Sequence, residues 1–189
     1  MPLPHFTNIK TGLKYDELVY KNLFEVQIIL PDVLNAIYPT ETSSVLLLQN
    51  TTSFTLPTYP AIATLQQRFK YSTRLYVGLP ETTSKTDVKL EFNMNVNDKK
   101  QIETWNVMKT WYDLVWNNEN GTVNYKKNIV GTIIGYIHDK EGEILRRITY
   151  HNCQPLSIAG WDGDVNWEST EMAKLSSTFA SDYYEDFSY

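Results

Sequence analysis

The stretch from Asn128 to Glu185 constrains this chain most, because it sets a β-ribbon, a corner and a long extended run one after another. Ile129 to His138 is rich in β-branched residues, Asp139-Lys140-Glu141-Gly142 supplies turn chemistry, and Glu143 to His151 reads as the return strand. Asn152-Cys153-Gln154-Pro155 is expected to end this hairpin, since proline cannot donate to a ladder and restricts the residue before it. Gly160 to Trp167 reads as a Gly/Asp-rich corner. Beyond it, Ala173, Leu175, Ser177, Phe179, Ser181 and Tyr183 share one parity within Glu171 to Tyr184, and a period of two predicts a long closing strand.

The earlier chain can be placed around that unit. Met1 to Tyr20 reads as an arm with little core of its own. Asn22 to Leu30 alternates, with Phe24, Val26 and Ile28 on one face, and stops at Pro31. Asp32 to Ser44 is a polar loop with room for a helical turn, Val45 to Gln49 is expected to be a buried strand, Thr51 to Thr58 is extended, and Tyr59 to Leu65 reads as connection. Arg68 to Val77 and Asp87 to Val96 read as two strands joined by a polar loop, Gly78 to Thr86. The second alternates most clearly: Val88, Leu90, Phe92, Met94 and Val96 face one way and Lys89, Glu91, Asn93 and Asn95 the other. Asp98 with Gln101 matches a capping box and predicts a helix over about 98–117, its apolar stripe formed by Ile102, Trp105, Met108, Tyr112, Val115 and Trp116. The expected fold is mainly β, of the α+β class: one domain, 1–189, forming an antiparallel β-sandwich or small barrel with one flanking helix.

Composition narrows the function. A net charge of −5 disfavours a phosphate-neutralising surface and with it sequence-specific DNA binding. Cys153 is the only cysteine, so no intrachain disulfide is expected, and the first residues do not resemble a secretory signal, which points to synthesis in a cytoplasm. No apolar run approaches the roughly 20 residues of a membrane span, so no membrane insertion is expected. A zinc site would need His5, His138, His151 and Cys153 to converge, yet the hairpin separates His138 from His151 by roughly 25 Å at about 3.3 Å per residue. Asp162-Gly163-Asp164 with Glu168 and Glu171 lacks the register of a calcium loop and reads as a solvated turn. With no nucleophile elbow, no phosphate loop and no base beside Cys153, neither catalytic residues nor a cofactor is expected. Five tryptophans and thirteen tyrosines leave a sugar-stacking β-sandwich as an alternative of another class, although Trp105 and Trp116 fit the helix stripe better as core.

Asn22-Leu23-Phe24-Glu25-Val26, Leu56-Pro57, the alternating strand leading to a helix with Trp105, the Asn152 to Pro155 corner and the closing Asp182-Tyr183-Tyr184-Glu185 together resemble the tail tube proteins of contractile-tailed, T4-like bacteriophages. The resemblance covers roughly Leu23 to Glu185 and is one of pattern and order. It implies a structural virion protein, assembled in the host cytoplasm. Six copies would form a ring whose inner sheets join into one β-barrel, with rings stacked as the conduit for genome delivery. Its implied partners are a sheath outside, a tape-measure protein and double-stranded DNA in the bore, and baseplate and terminator proteins at the ends. The long arm and loops leave a baseplate or tail-end relative, or a type VI-like injection tube, as alternatives.

In such a ring the polar faces Lys89, Glu91, Asn93, Asn95 and Lys174, Ser176, Thr178 are the candidates to line the bore, against an ordinary solvent face. A net-acidic ring has the sign that lets nucleic acid pass without adhering, with Lys89 and Lys174 counting against this unless acids pair with them. The arm, the loop Gly78 to Thr86 and the tail Tyr183 to Tyr189 are irregular in this reading. They offer Phe6, Tyr15, Tyr20, Pro80, Glu81, Tyr183, Phe187 and Tyr189 as candidate contacts between subunits.

Overall fold

One strand, β9 (Ile144–Gly160), is long enough to serve two limbs of a sheet, and the rest of the fold is arranged about its bend. The computed structural model describes residues 22–39, 46–59, 62–70, 72–80, 86–94, 102–160 and 173–189. In chain order the elements are β1 (Phe24–Ile29), α1 (Asp32–Asn35), a helical segment at 46–50, β2 (Thr51–Phe54), β3 (Ile62–Phe69), β4 (Ser72–Pro80) and β5 (Thr86–Asn93). There follow α2 (Glu103–Val115), the two-residue pair β6 (Trp116–Asn117) and β7 (Thr122–Val123), α3 (Lys126–Ile129), β8 (Gly131–His138), β9, β10 (Lys174–Ser181) and β11 (Tyr183–Ser188).

The main sheet has seven strands, in the order β1-β8-β9-β10-β5-β2, with β11 also paired to β9. All of its pairs are antiparallel. The first part of β9 lies between β8 and β11, and its last part pairs with β10. Between the two, Asn152 takes a left-handed φ of 54°, which an asparagine tolerates better than most side chains. The ladder then slips from Thr178↔Ser157 to Phe179↔Pro155, passing over Leu156. The predicted end of the hairpin at Asn152 to Pro155 is therefore corrected: the strand bends there and runs on, and proline is tolerated because it sits at a bulge. The bend folds the sheet over on itself, as in sandwiches whose corners are made by a strand that changes sheets.

Packing closes the sandwich. Val26, Ile28, Ile133, Ile148 and Tyr150 from one limb meet Val88, Leu90, Phe92, Leu175 and Phe179 from the other in a single buried cluster. The alternation predicted for β1 and β5 holds over the described residues, Val88, Leu90 and Phe92 being wholly buried and Met94 partly so, while Val96 lies outside them. Phe54 of β2 crosses to β8 and lies edge-on to Tyr150, with ring centroids 5.9 Å apart. Its ring occupies the space a side chain at Gly135 would need: a Cβ there would lie 2.4 Å from Phe54 Cε1. Trp111 of α2 packs on Phe179 and over Gly131 while its Nε1 donates to the Ile129 carbonyl at 2.8 Å.

Several local expectations are corrected. Residues 46–50 are helical rather than a strand; Asn50 Nδ2 bonds the Leu46 carbonyl, Thr51 Oγ1 bonds that of Leu47, and Leu47 is buried. A short apolar run has no period by which to choose between the two states. Within the region read as connection and one strand, Ile62–Phe69 and Ser72–Pro80 form a hairpin: β3 and β4 pair with each other, in a register running from Ile62↔Pro80 to Phe69↔Ser72. Gly78 to Pro80 and Thr86 accordingly belong to strands, not to the loop between them.

The helix begins at Glu103, and the Asp98/Gln101 box lies outside the described residues. Its buried stripe is Thr104, Val107, Met108 and Trp111, rotated from the predicted one. Trp105 is half-buried and Trp116 leaves the helix in an extended conformation, exposed. The closing run breaks at Asp182, so the parity flips: Tyr184 turns toward the core and Tyr183 away from it. The tail is thus a paired strand and not an irregular segment. The corner at Gly160 to Trp167 lies outside the described residues from 161 on.

Candidate assembly surfaces

The polar candidates on β5 and β10 stand together. Antiparallel pairing sets Lys89 opposite Thr178, Glu91 opposite Ser176 and Asn93 opposite Lys174, while Val88, Leu90, Phe92, Leu175, Ser177 and Phe179 point to the core. Ser157 and Ala159 of β9 extend the row, opposite Thr178 and Ser176. Asn95 lies outside the described residues. Lys89 Nζ sits 3.4 Å from Glu91 Oε1, an exposed pair of little energetic weight that nonetheless cancels charge. With Asp87 and Lys174 the described part of this face carries two acids and two bases. Lys89 thus has the acidic partner that the sequence reading required of it, and the described part of the face is balanced in charge. This limb of four strands, β9-β10-β5-β2, has β2 at one border, paired only with β5 among the described residues.

The candidate contact residues are less unified. Phe6, Tyr15, Tyr20 and Glu81 lie outside the described residues, and Pro80 ends β4. Tyr183, Phe187 and Tyr189 are exposed on or beyond β11 but have neighbours within the chain. Tyr183 stacks on His151 with ring centroids 4.6 Å apart, and the Arg147 guanidinium lies 5.7 Å from the Phe187 ring centre. Tyr189 N–H donates to the Leu145 carbonyl at 3.1 Å.

Charged groups fasten β11 and the sheet corner. Arg146 Nε donates to Asp186 Oδ1 at 2.8 Å, Arg146 Nη2 donates to Oδ2, and Tyr59 Oη donates to the same carboxylate. The Arg146 bonds hold the Asp186 carboxyl below the usual carboxylate range, against the opposing effect of desolvation. Lys126, and then Asn152, lower Asp182 in the same way. Burial pushes the Cys153 thiol up to about 12.

Sequence reasoning missed two surfaces. The β3–β4 hairpin is exposed on both faces, with Leu65, Leu75, Tyr76 and Val77 open to solvent. At the β8–β9 turn, an open cleft of about 440 Å³ is lined by Leu23, Phe24, Leu48, Glu25, His138 and Asp139, among others. The clue to the first was available: residues 62–80 contain three bases and no acid in a chain that is acidic as a whole. Among the described residues no group of three His, Cys, Asp or Glu could hold a metal ion, and no helix is long and apolar enough to cross a membrane.

The class so defined is a β-rich α+β fold: an antiparallel sheet bent about one long strand, with a helix on its flank. No protein-family model matches the sequence, and comparison with curated proteins finds no match. The fold does have counterparts among solved structures. The chain is similar to a protein in the tube-terminating cap of the anti-feeding prophage, with TM-score 0.55 and 16% identity, over 94% of this chain and 95% of that one. It is similar to a chain of the sheath–tube complex of an extracellular contractile injection system, with TM-score 0.53 and 15% identity, over 99% and 100%. A chain of the anti-feeding prophage baseplate matches with TM-score 0.55 and 12% identity, over 92% and 98%.

Proposed function

We propose that this chain is a structural subunit of the tube of a contractile tail or injection particle, assembled from copies of itself. The observation that carries this reading is the four-stranded limb with a core on one face and, on the other, a row of polar, charge-balanced side chains across β9, β10 and β5. Joining the borders of such limbs removes open sheet edges, which are otherwise templates for aggregation. Four strands from each of six copies, at about 4.8 Å per strand, give a backbone diameter of roughly 37 Å before strand tilt widens it. The electroneutral lining, with Lys89 neutralised by Glu91, presents little net charge for a phosphate backbone to bind. A tape-measure protein and double-stranded DNA are the proposed contents, with the sheath outside.

A second reading, a component of the tube's end, draws on the similarity to cap and baseplate proteins. Negative-stain electron microscopy of the purified full chain separates the two. Hollow rods are expected for a tube subunit and single rings for an end component, whereas monomers at high concentration overturn both.

A further inference from the structure

Among the described residues the β3–β4 hairpin pairs with no strand of the main sheet, and every described side chain from 64 to 77 is exposed. A two-stranded ribbon with both faces in water is marginal at best, because it buries too little apolar area to offset the entropy of ordering its chain. Val77 is 80% exposed and Leu75 66%. The hairpin also differs in charge from the rest of the molecule. It holds three of the 17 basic residues, Arg68, Lys70 and Arg74, and none of the 22 acids, leaving 14 bases against 22 acids elsewhere. In register, Arg68 and Arg74 lie near the turn, while Leu65, Leu75, Tyr76 and Val77 lie toward the base.

The cleft at the β8–β9 turn has the complementary character. Its wall includes Leu23, Phe24 and Leu48, and its polar groups include Glu25, Asp139, Lys140 and His138, whose Nε2 lies 3.5 Å from Glu25 Oε2. Glu141 and Glu143 are exposed in the same turn, whose shape Asp139 Oδ1 fixes by accepting the N–H groups of both. Two carboxylates on the lining, Glu25 and Asp139, and two in the adjoining turn, Glu141 and Glu143, thus stand against the Lys140 ammonium and the His138 ring beside an opening of about 440 Å³. Guanidinium groups match carboxylates in geometry as well as charge.

We propose that the hairpin of one copy docks its basic tip against the acidic cleft at the β8–β9 turn of a second copy. This rests on the reading of the chain as a self-assembling subunit and names the surfaces that meet. Hairpin and cleft are different patches, so the contact is heterologous, the kind that closes rings or propagates along a filament. The occupant is a second copy because the two features carry opposite charge on the same chain.

Charge reversal tests it with full-length protein. Arg68→Glu/Arg74→Glu and, separately, Glu141→Lys/Glu143→Lys should each keep the wild-type circular dichroism yet lower the assembled fraction by roughly tenfold or more at low salt. Mixing the two variants should restore assembly, since each reversed hairpin then meets a reversed cleft and each native hairpin a native cleft. Wild-type assembly with both variants unimpaired overturns the docking alone, as does a mixture that fails to recover, which would assign the hairpin to a different acidic partner. Wild-type protein that stays monomeric overturns the assembly reading and this contact with it.

Discussion

Asn152 Nδ2 donates to Asp182 Oδ2 across 2.8 Å, joining the two points at which neighbouring strands turn the same corner. Asn152 is the left-handed residue where β9 bends, and Asp182 is the bend between β10 and β11. Asp182 N–H also donates to the His151 carbonyl at 3.1 Å, and Lys126 holds the other carboxylate oxygen. The fold-over of the sheet is therefore secured from both strands at once.

Replacing Asn152 by valine should destabilise the protein, because a β-branched residue is poorly accommodated at φ 54° and the bond to Asp182 is lost. The backbone effect alone is about 1–2 kcal/mol. Asn152→Gly restores the backbone but not the bond and should recover most of the loss. Urea unfolding of the three proteins checks this; equal stability of the valine variant would mean that the corner is held elsewhere.

Stability should fall in acid partly through Asp186. Its folded pKa is depressed by Arg146, so its contribution is complete above the unfolded value of about 3.9 and disappears as pH falls through the lower folded value. Asp186→Asn should be less stable than wild type at pH 7, by about 1.5–3 kcal/mol for charge-assisted bonds of this kind. The gap should close as pH drops below about 4. Denaturant melts from pH 7 to pH 3 measure it, and a gap that stays constant would refute the assignment. Hydrogen exchange at β11 should rise in the variant.

Gly135→Ala should cost about 1–3 kcal/mol, the usual range for overpacking a filled core. The new methyl would lie 2.4 Å from the Phe54 ring, which is held between β8 and Tyr150. Phe54→Leu in the same chain should return part of the loss. Thermal melts of the single and double variants provide the measurement.

Cys153 should resist thiol reagents in the native state. It is buried, its Sγ donates to the Tyr150 carbonyl at 3.4 Å, and burial raises its pKa to about 12, so thiolate is scarce at pH 8. Labelling with a disulfide reagent should be slow in buffer and complete in denaturant. Fast native labelling would place the residue outside the core.

The sequence by itself determined the faces of the strands. In β1, β5 and β10 the identity of every second residue assigns core and solvent, because alternation follows from the pleat and needs no distant partner. It therefore disclosed the polar row on β5 and β10 before any pairing was known.

The tertiary structure decided whatever depends on what the chain meets. Residues 46–50 are helical because Leu47 reaches the core and their carbonyls find the side chains of Asn50 and Thr51. Proline at 155 ends no strand, because the ladder slips at that place. The flip of parity at Asp182 exists only because two adjacent strands bend together. The exposed basic hairpin and the acidic cleft likewise emerge only when the fold leaves them unpacked. Local geometry fixes a residue's face, while burial and pairing are contacts between distant parts of the chain, which only folding brings together.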